Sequence, residues 1–177
     1  MINFFHKIID VLNEHDIAYM LSGSVAMSLY VVPRATRDFD FVIHLREQNI
    51  DFFVSNFKEG YYCNEASVKE AVRTHGMFNI IDHVSGYKAD FIILKDSSFR
   101  QKEFERRNKL DFYGKAVYVV TQEDLLLSKL IWIQDLQSAI QMEDIKNLAL
   151  SQHLDWTYIK QWIYILKLKT FNLINHE

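Results

Sequence analysis

Two aspartates separated by one residue occur in a segment that otherwise has the pattern of a β-strand. Asp38 and Asp40 lie in "TRDFDFVIHL", where apolar residues alternate with them and follow them. Alternate residues of a strand share one face, so both carboxylates point the same way, about 7 Å apart. Two such charges raise each other's pKa unless a cation lies between them. Magnesium suits this position, because it favours a few carboxylates combined with phosphate oxygens.

The residues before this pair extend the polar face if the strand begins near Arg34. Arg34 and Thr36 then point the same way as Asp38 and Asp40, and could contact a phosphate. The alternative is a half-exposed amphipathic strand whose two aspartates are simply solvated. An isolated Asp-x-Asp leaves both interpretations open.

A Gly-Ser pair lies between two apolar segments, "IAYML" and "SVAMSLYV". If the first is a strand and the second a helix, Gly23 and Ser24 offer backbone N–H groups and a hydroxyl at the positive end of a helix. That arrangement suits a triphosphate. The alternative is an ordinary tight turn in which Ser24 caps the helix.

A third acidic residue lies in the strongly apolar segment "YKADFIIL". An unpaired carboxylate is costly in such a strand. Asp90 is reasonable there if it faces Asp38 and Asp40 and completes a metal site. The alternative is an edge-strand aspartate that pairs with Lys88.

The elements that must position these residues follow from hydrophobic periodicity. The first 15 residues predict an amphipathic helix, and "SVAMSLYV" predicts a helix that Pro33 ends. Two strand-like segments joined by Ser85-Gly86 predict a hairpin. "SSFRQKEFERRNKL" predicts a charged helix, "GKAVYVV" a last strand, and the remainder only helices. We therefore expect an α/β (α+β) core over residues 1–120, with a helical region, 121–177, packed on it.

Composition and charge exclude several classes of protein. The chain has 177 residues, of which 49% are hydrophobic and 24% charged, as in globular proteins. The formal net charge of −3 gives no overall basic field for a nucleic acid, and the single cysteine allows no intrachain disulfide. The N-terminus lacks the features of a signal peptide, and no apolar run is long enough to span a membrane. These features predict a cytoplasmic protein without a membrane partner.

The three acidic positions and the Gly-Ser pair occur in an order that resembles the nucleotidyltransferase fold superfamily. The pattern is Gly23-Ser24, then Asp38-Phe39-Asp40 on a strand, then Asp90 on a neighbouring strand. More narrowly, "GSVAMSLYVVPRATRDFDFVI", "KADFIILK", "EDLLLSKLIW" and "MEDIKNL" look like the small bacterial nucleotidyltransferase-like proteins grouped with abortive-infection (AbiEii-type) toxins. The resemblance implies a mixed sheet flanked by helices, with a helical C-terminal part. The spacer between Ser24 and Asp38 is near the long end of the family's range.

The resemblance also implies roles for individual residues. Asp38, Asp40 and Asp90 would be catalytic and would bind one or two Mg²⁺ ions. The residues expected to contact the nucleoside triphosphate are Gly23, Ser24, Arg34, Thr36 and Lys129. Lys129 interrupts an apolar helix, and the alternative is a lysine that snorkels at the rim of the core. Asp144 matches an acidic position of the family and is expected to be structural.

The implied activity is an Mg²⁺-dependent transfer of NMP from an NTP to an acceptor hydroxyl. The acceptor could be a tRNA, a protein or a small molecule. The narrower resemblance implies a toxin of a toxin–antitoxin or phage-defence system, with a cognate antitoxin as partner. The alternative is a catalytically silent module of the same fold that acts through a protein partner. The presence of all three acidic residues argues against that alternative.

Overall fold

The computed structural model describes residues 1–174 and contains one mixed seven-stranded sheet flanked by helices. The strands are β1 (Tyr19–Ser22), β2 (Asp38–Ile43), β3 (Tyr61–Cys63), β4 (Met77–Asp82), β5 (Lys88–Ile93), β6 (Asn108–Phe112) and β7 (Lys115–Val119). The helices are α1 (Ile2–Glu14), α2 (Gly23–Met27), α3 (Ile50–Ser55), α4 (Glu65–Thr74), α5 (Ser98–Glu105), α6 (Gln122–Trp132), α7 (Ala139–Ala149) and α8 (Trp156–Leu166). A short 3₁₀ turn, Glu47–Asn49, precedes α3. The predicted fold class is confirmed.

The centre of the sheet is built around β2. The spatial order is β3-β4-β5-β2-β1-β7-β6, with β2 antiparallel to β1 and parallel to β5. One face of the sheet is aromatic, because Phe39, Phe41 and Phe91 are almost fully buried there. Phe5 of α1 and Phe53 of α3 pack against these rings. The strict alternation of "DFDF" therefore leaves Asp38 and Asp40 on the opposite face.

Several predicted elements are confirmed, and three boundaries are wrong. The hairpin through Ser85-Gly86 joins the antiparallel strands β4 and β5. The helix after Gly23 ends at Met27, well before Pro33. Strand β2 begins at Asp38 rather than near Arg34, and residues 108–112 form β6 instead of continuing the charged helix.

The helices α6, α7 and α8 follow the last strand, as predicted. Thr121 caps α6, since its side chain accepts a hydrogen bond from the backbone N–H of Asp124. The predicted division at residue 120 falls between β7 and α6. Residues 175–177, which belong to the predicted helical region, lie outside the described residues. Within residues 1–174, none of the helices combines the length and the apolar character needed to cross a membrane.

Candidate active site

The turn between β1 and α2 brings the backbone against a carboxylate. Ser22 pairs with Asp40 across the antiparallel β1–β2 pair, and α2 begins at the next residue, Gly23. Gly23 has a φ of +64°, and a Cβ at this position would lie 1.8 Å from Oδ2 of Asp40. The backbone conformation and the close approach each require glycine here. The Gly-Ser turn is thus held directly against the Asp-x-Asp strand.

The three predicted carboxylates lie on one face of the sheet. In the parallel β2–β5 pair, Asp38 is in register with Lys88, and Asp40 is in register with Asp90. Residues in register on neighbouring strands share a face, so all four side chains meet there. The Nζ of Lys88 lies 2.8 Å from Oδ2 of Asp90 and 3.7 Å from Oδ1 of Asp38. Asp90 therefore both faces the aspartate pair and contacts Lys88, although β5 lies inside the sheet rather than at its edge.

The negative charge of this face is only partly compensated. Burial raises the pKa of Asp40, and the charges of Asp90 and Asp38 raise this pKa further. The charges of Lys129 and Lys88 act in the opposite direction but do not cancel the rise. Asp90 is 8% exposed, and its buried Oδ1 has no hydrogen-bond partner among residues 1–174. An additional cation at this face would relieve both the repulsion and the unpaired oxygen.

The donor set fits a divalent cation in charge and in ligand type. Carboxylate oxygens are the ligands that Mg²⁺ prefers, and Oδ1 of Asp90 is free to accept such an ion. As the side chains stand, no group of three His, Cys, Asp or Glu residues in the described part of the chain is arranged to hold a metal. The Lys88 ammonium contacts two of the three carboxylates instead. Binding of a metal by all three would therefore require Lys88 to move aside.

Arg34 and Thr36 do not share the face of β2, because both precede the strand. The Arg34 guanidinium donates to Oγ of Ser24 at 2.5 Å and to the two carboxylate oxygens of Asp144 at 3.1 and 3.2 Å. The Oγ1 of Thr36 accepts from the backbone N–H of Asp38 at 3.2 Å. Arg34 therefore remains beside the Gly-Ser turn, whereas Thr36 shapes the entry into the strand.

The ammonium group of Lys129 is buried and contacts two polar side chains of α7, instead of reaching solvent at the edge of the core. Its Nζ lies 2.8 Å from Oδ2 of Asp144 and 3.0 Å from Oε1 of Gln141, and the residue is 5% exposed. The predicted alternative of a snorkelling lysine is therefore wrong. Burial by itself would raise the pKa of Asp144, but hydrogen bonds from Arg34 and Lys129 outweigh it, and the pKa is lowered. Asp144 thus joins α6, α7 and the segment before β2.

Two residues of this site were not predicted to take part in it. Lys88 was considered only as a possible partner of Asp90, although its position two residues earlier in the same strand places it on the same face. Gln141 carries no signal in the sequence, since its role depends on the packing of α7 against α6. We call the linked residues Ser24, Arg34, Lys129, Gln141 and Asp144 the Asp144 network.

Comparison with known families decides the class of this protein. The family model described as "Nucleotidyltransferase of unknown function (DUF6036)" matches residues 1–175. The chain belongs to this family. The predicted nucleotidyltransferase enzyme is thereby confirmed at the level of the family, whereas nothing in the match distinguishes the abortive-infection type. No curated protein is significantly similar to the chain in sequence.

Solved nucleotidyltransferase structures share the fold at low sequence identity. The antibiotic-resistance factor ANT(2'')-Ia superposes with a TM-score of 0.58 at 12% identity, over 93% of this chain and 90% of that chain. The lincosamide antibiotic adenylyltransferase LnuA gives 0.56 at 13% identity, over 82% of this chain and 94% of that chain. An antigenic nucleotidyltransferase-like protein from Paracoccidioides brasiliensis gives 0.51 at 17% identity, over 90% and 87%. These similarities establish the fold.

Proposed function

We propose that this nucleotidyltransferase uses Mg²⁺ to transfer NMP from an NTP to a hydroxyl of its acceptor. The observation that carries the proposal is the placement of Asp38, Asp40 and Asp90 on one face of β2 and β5, against the Gly23-Ser24 turn. The negative charge of this face is only partly compensated, at a position where we expect triphosphate and metal to meet. A site of this composition serves group transfer better than it serves a purely structural role.

In the proposed reaction, the acceptor oxygen forms a bond to the α-phosphorus while the bond between that phosphorus and the β-phosphate oxygen breaks. Asp38, Asp40 and Asp90 would hold one or two Mg²⁺ ions, which orient the α-phosphate and neutralise the leaving pyrophosphate. Asp90 or one of its partners would accept the proton of the acceptor hydroxyl. Gly23 and Ser24 would contact the β- and γ-phosphates.

Arg34 and Lys129 are the cations that we propose for binding the triphosphate. Arg34 already holds the Ser24 hydroxyl, so a phosphate bound at the turn would lie beside its guanidinium. Lys129 lowers the pKa of Asp40 by its charge, which indicates that its field reaches the carboxylates. Both side chains are bound to Asp144, which keeps them in place before the nucleotide arrives.

The acceptor is proposed as a tRNA, a protein or a small molecule. The net charge of −3 favours an acceptor with a small footprint over an extended RNA. LnuA is a lincosamide antibiotic adenylyltransferase solved with lincomycin, and ANT(2'')-Ia has been solved with adenylyl-2''-tobramycin. These two structures support a small hydroxylated acceptor. The motif resemblance to abortive-infection toxins supports a role as a toxin with a cognate antitoxin.

The test is calorimetric binding of each of the four NTPs, with and without Mg²⁺. We expect magnesium-dependent binding to the unmodified protein and its loss in Asp38→Ala/Asp40→Ala. A matched control is Asp51→Ala/Asp96→Ala, which removes two aspartates whose side chains are 88% exposed. The control variant should bind like the unmodified protein.

The same experiment separates the proposed enzyme from a silent module. If the folded protein binds none of the four NTPs, the proposal is wrong, and a search for a protein partner replaces it. If binding occurs, labelled NTP identifies the acceptor, because transfer places the label on it. Toxicity of the expressed protein, and its relief by a neighbouring gene product, tests the cellular role.

A further inference from the structure

The ammonium group of Lys88 lies among the three carboxylates of the candidate active site. Its Nζ is 2.8 Å from Oδ2 of Asp90 and 3.7 Å from Oδ1 of Asp38, and its charge opposes the rise in the pKa of Asp40. The shorter distance is that of a charge-assisted hydrogen bond. Lys88 therefore occupies the space in which these carboxylates need a cation.

The other two cations of the site, Arg34 and Lys129, are held by a different carboxylate. Nε of Arg34 lies 3.1 Å from Asp144, and Nζ of Lys129 lies 2.8 Å from the same group. The Asp144 side chain is only 3% exposed, so moving either cation away would leave a buried charge with less compensation. Lys88 differs from both, because its salt bridges join it to two of the proposed metal ligands, Asp38 and Asp90.

Lys88 can change partners by moving its side chain alone. The backbone of β5 is paired with β2 on one side and with β4 on the other, which fixes the position of this residue in the sheet. The side chain is 34% exposed and ends in a compact ammonium on a flexible stem. The Asp38 side chain is 49% exposed, so the contact between the two residues is open to solvent. The ammonium can therefore leave the carboxylates without a change in the sheet.

A divalent ion and this ammonium compete for the same oxygens. Like charges repel strongly at the distances at which both would contact one carboxylate. The oxygens concerned are Oδ2 of Asp90 and Oδ1 of Asp38, which Lys88 contacts, and not the buried Oδ1 of Asp90. The Gly23-Ser24 turn, where we propose that the phosphates bind, adjoins the same face through Asp40. A displaced ammonium would thus find phosphate oxygens, which lysine binds well, beside it.

We propose that Lys88 exchanges partners when the nucleotide binds: its ammonium holds Asp38 and Asp90 in the free protein, and it binds a phosphate oxygen of the NTP once Mg²⁺ occupies the carboxylates. This inference rests on the proposed function and adds a third cation to its nucleotide site. The exchange couples the binding of the two ligands. Without the triphosphate, the displaced Lys88 has no new partner, so metal binding is weak, and each ligand strengthens the binding of the other.

A fixed ion pair is the alternative role for Lys88. In that case the ammonium only neutralises the carboxylates and supports the fold, and its removal lowers stability without a gain in metal affinity. The affinity for the metal in the absence of nucleotide therefore separates the two roles.

The test compares Lys88→Met with the unmodified protein in two titrations. The first is a titration with Mn²⁺, a paramagnetic substitute for Mg²⁺, without nucleotide, in which electron paramagnetic resonance measures the free ion. We expect Lys88→Met to bind Mn²⁺ at least about tenfold more tightly, since the substitution removes the competing positive charge.

The second titration is calorimetric and uses the α,β-methylene analogues of the four NTPs, which cannot transfer NMP, at a saturating concentration of Mn²⁺. At saturation the ammonium of the unmodified protein is already displaced, so only its contact with phosphate differs between the two proteins. We expect Lys88→Met to bind the preferred analogue at least about tenfold more weakly, because a charge-assisted hydrogen bond is lost. A substitution that merely weakens the fold would not raise the affinity for metal while lowering that for nucleotide.

Two control variants separate the effect of charge from that of position. Lys88→Arg keeps the positive charge and should bind Mn²⁺ about as weakly as the unmodified protein. Lys69→Met removes an exposed lysine that also contacts two carboxylates, those of Asp51 and Glu65, and should leave both affinities unchanged. If Lys88→Met does not fold, Lys88→Gln, which is neutral but can still donate to Asp90, takes its place.

Two outcomes overturn this inference alone. One is a folded Lys88→Met that binds Mn²⁺ no more tightly than the unmodified protein, because Lys88 then does not occupy the position of the ion. The other is an unchanged affinity for the analogue at saturating Mn²⁺, because Lys88 then makes no contact with phosphate. Failure of the proposed function gives a different result: the unmodified protein binds none of the four analogues at any Mn²⁺ concentration, and both proposals are wrong.

Discussion

At Gly23, the backbone of the Gly-Ser turn lies directly against the carboxylate of Asp40. A Cβ at this position meets Oδ2 of Asp40 at 1.8 Å, and the φ of +64° is itself unfavourable for alanine. We expect Gly23→Ala to lower the free energy of unfolding by more than about 2 kcal/mol, or to displace the Asp40 carboxylate and abolish nucleotide binding. Urea unfolding and NTP calorimetry measure these two effects.

Gly86 provides the matched control for this substitution. Its φ is +69°, but a Cβ there would meet no atom of the described residues within 4 Å. Gly86→Ala therefore carries only the conformational cost of a positive φ, about 1 kcal/mol. The difference between the two losses in free energy of unfolding measures the cost of placing a Cβ against Asp40. If the two substitutions lower the free energy of unfolding equally, the Asp40 carboxylate moves away from the new Cβ at no cost in stability.

Asp40 gives the site a pH dependence whose sign follows from its raised pKa. The folded protein binds a proton at Asp40 more readily than the unfolded chain, because burial and the charges of Asp90 and Asp38 raise the pKa. This contribution to stability is fully present below the pKa of the unfolded chain and is lost as the pH rises through the folded-state pKa. At neutral pH and without metal, the ionised carboxylate therefore destabilises the fold.

The isosteric substitution Asp40→Asn removes this repelled charge. In buffer containing a chelator at pH 7, we expect the variant to be more stable than the unmodified protein by on the order of 1 kcal/mol. The advantage should shrink as the pH is lowered through the folded-state pKa of Asp40. Urea unfolding at a series of pH values measures it, with Asp51→Asn, an exposed aspartate, as the control. A variant that is less stable at neutral pH would mean that the carboxylate is compensated in the fold.

At the level of secondary structure, the sequence predicts the elements that carry strong periodicity and misses those that depend on pairing. Strands β2, β5 and β7 and helices α1 and α6 follow from the pattern of apolar residues. Strand β3, Tyr61–Cys63, has only three residues, too few for a pattern. Strand β6, Asn108–Phe112, is a mostly polar edge strand, so its residues resemble the charged helix before them.

The Asp144 network shows the same limit for the site. Asp38, Asp40 and Asp90 could be predicted, because strand alternation and the family pattern place them on one face. The contact of Arg34 with Asp144 joins residues 110 positions apart, and no local pattern encodes it. Sequence alone therefore left Arg34 on the wrong element and Asp144 as an ordinary structural acid.

The packing of α6 against α7 depends on a buried ion pair that can be tested by a double substitution. The side chains of Lys129 and Asp144 are 6% and 3% exposed. Asp144→Ala leaves the Lys129 ammonium buried without its partner, and we expect a loss of about 3 kcal/mol in the free energy of unfolding. Lys129→Met/Asp144→Leu removes both charges and should recover most of that loss. Urea unfolding of the two variants measures the difference, and a double variant as unstable as Asp144→Ala would mean that packing, not charge, sets the cost.

At the scale of the whole molecule, polar contacts tie the C-terminal helices to the sheet-bearing part. Arg106, after α5, lies 3.0 Å from Asp124 of α6, and the Tyr158 hydroxyl of α8 donates to the same carboxylate at 2.6 Å. Arg34 connects Asp144 of α7 to the Gly-Ser turn. Because Asp124 and Asp144 are almost fully buried, separating the helices would leave their carboxylates without these partners. We therefore expect residues 1–120 and the helices after them to unfold together.

The tryptophans allow this cooperativity to be measured, since all three, Trp132, Trp156 and Trp162, lie in the helical region. Their fluorescence follows that region, while hydrogen exchange of the β2 and β5 amides follows the sheet. We expect one urea midpoint for both probes, as in two-state unfolding. A fluorescence transition at lower urea would instead show that the predicted boundary at residue 120 divides two folding units. In that case Arg34 and Lys129 would lose their Asp144 anchor before the sheet unfolds, and nucleotide binding would disappear with the first transition.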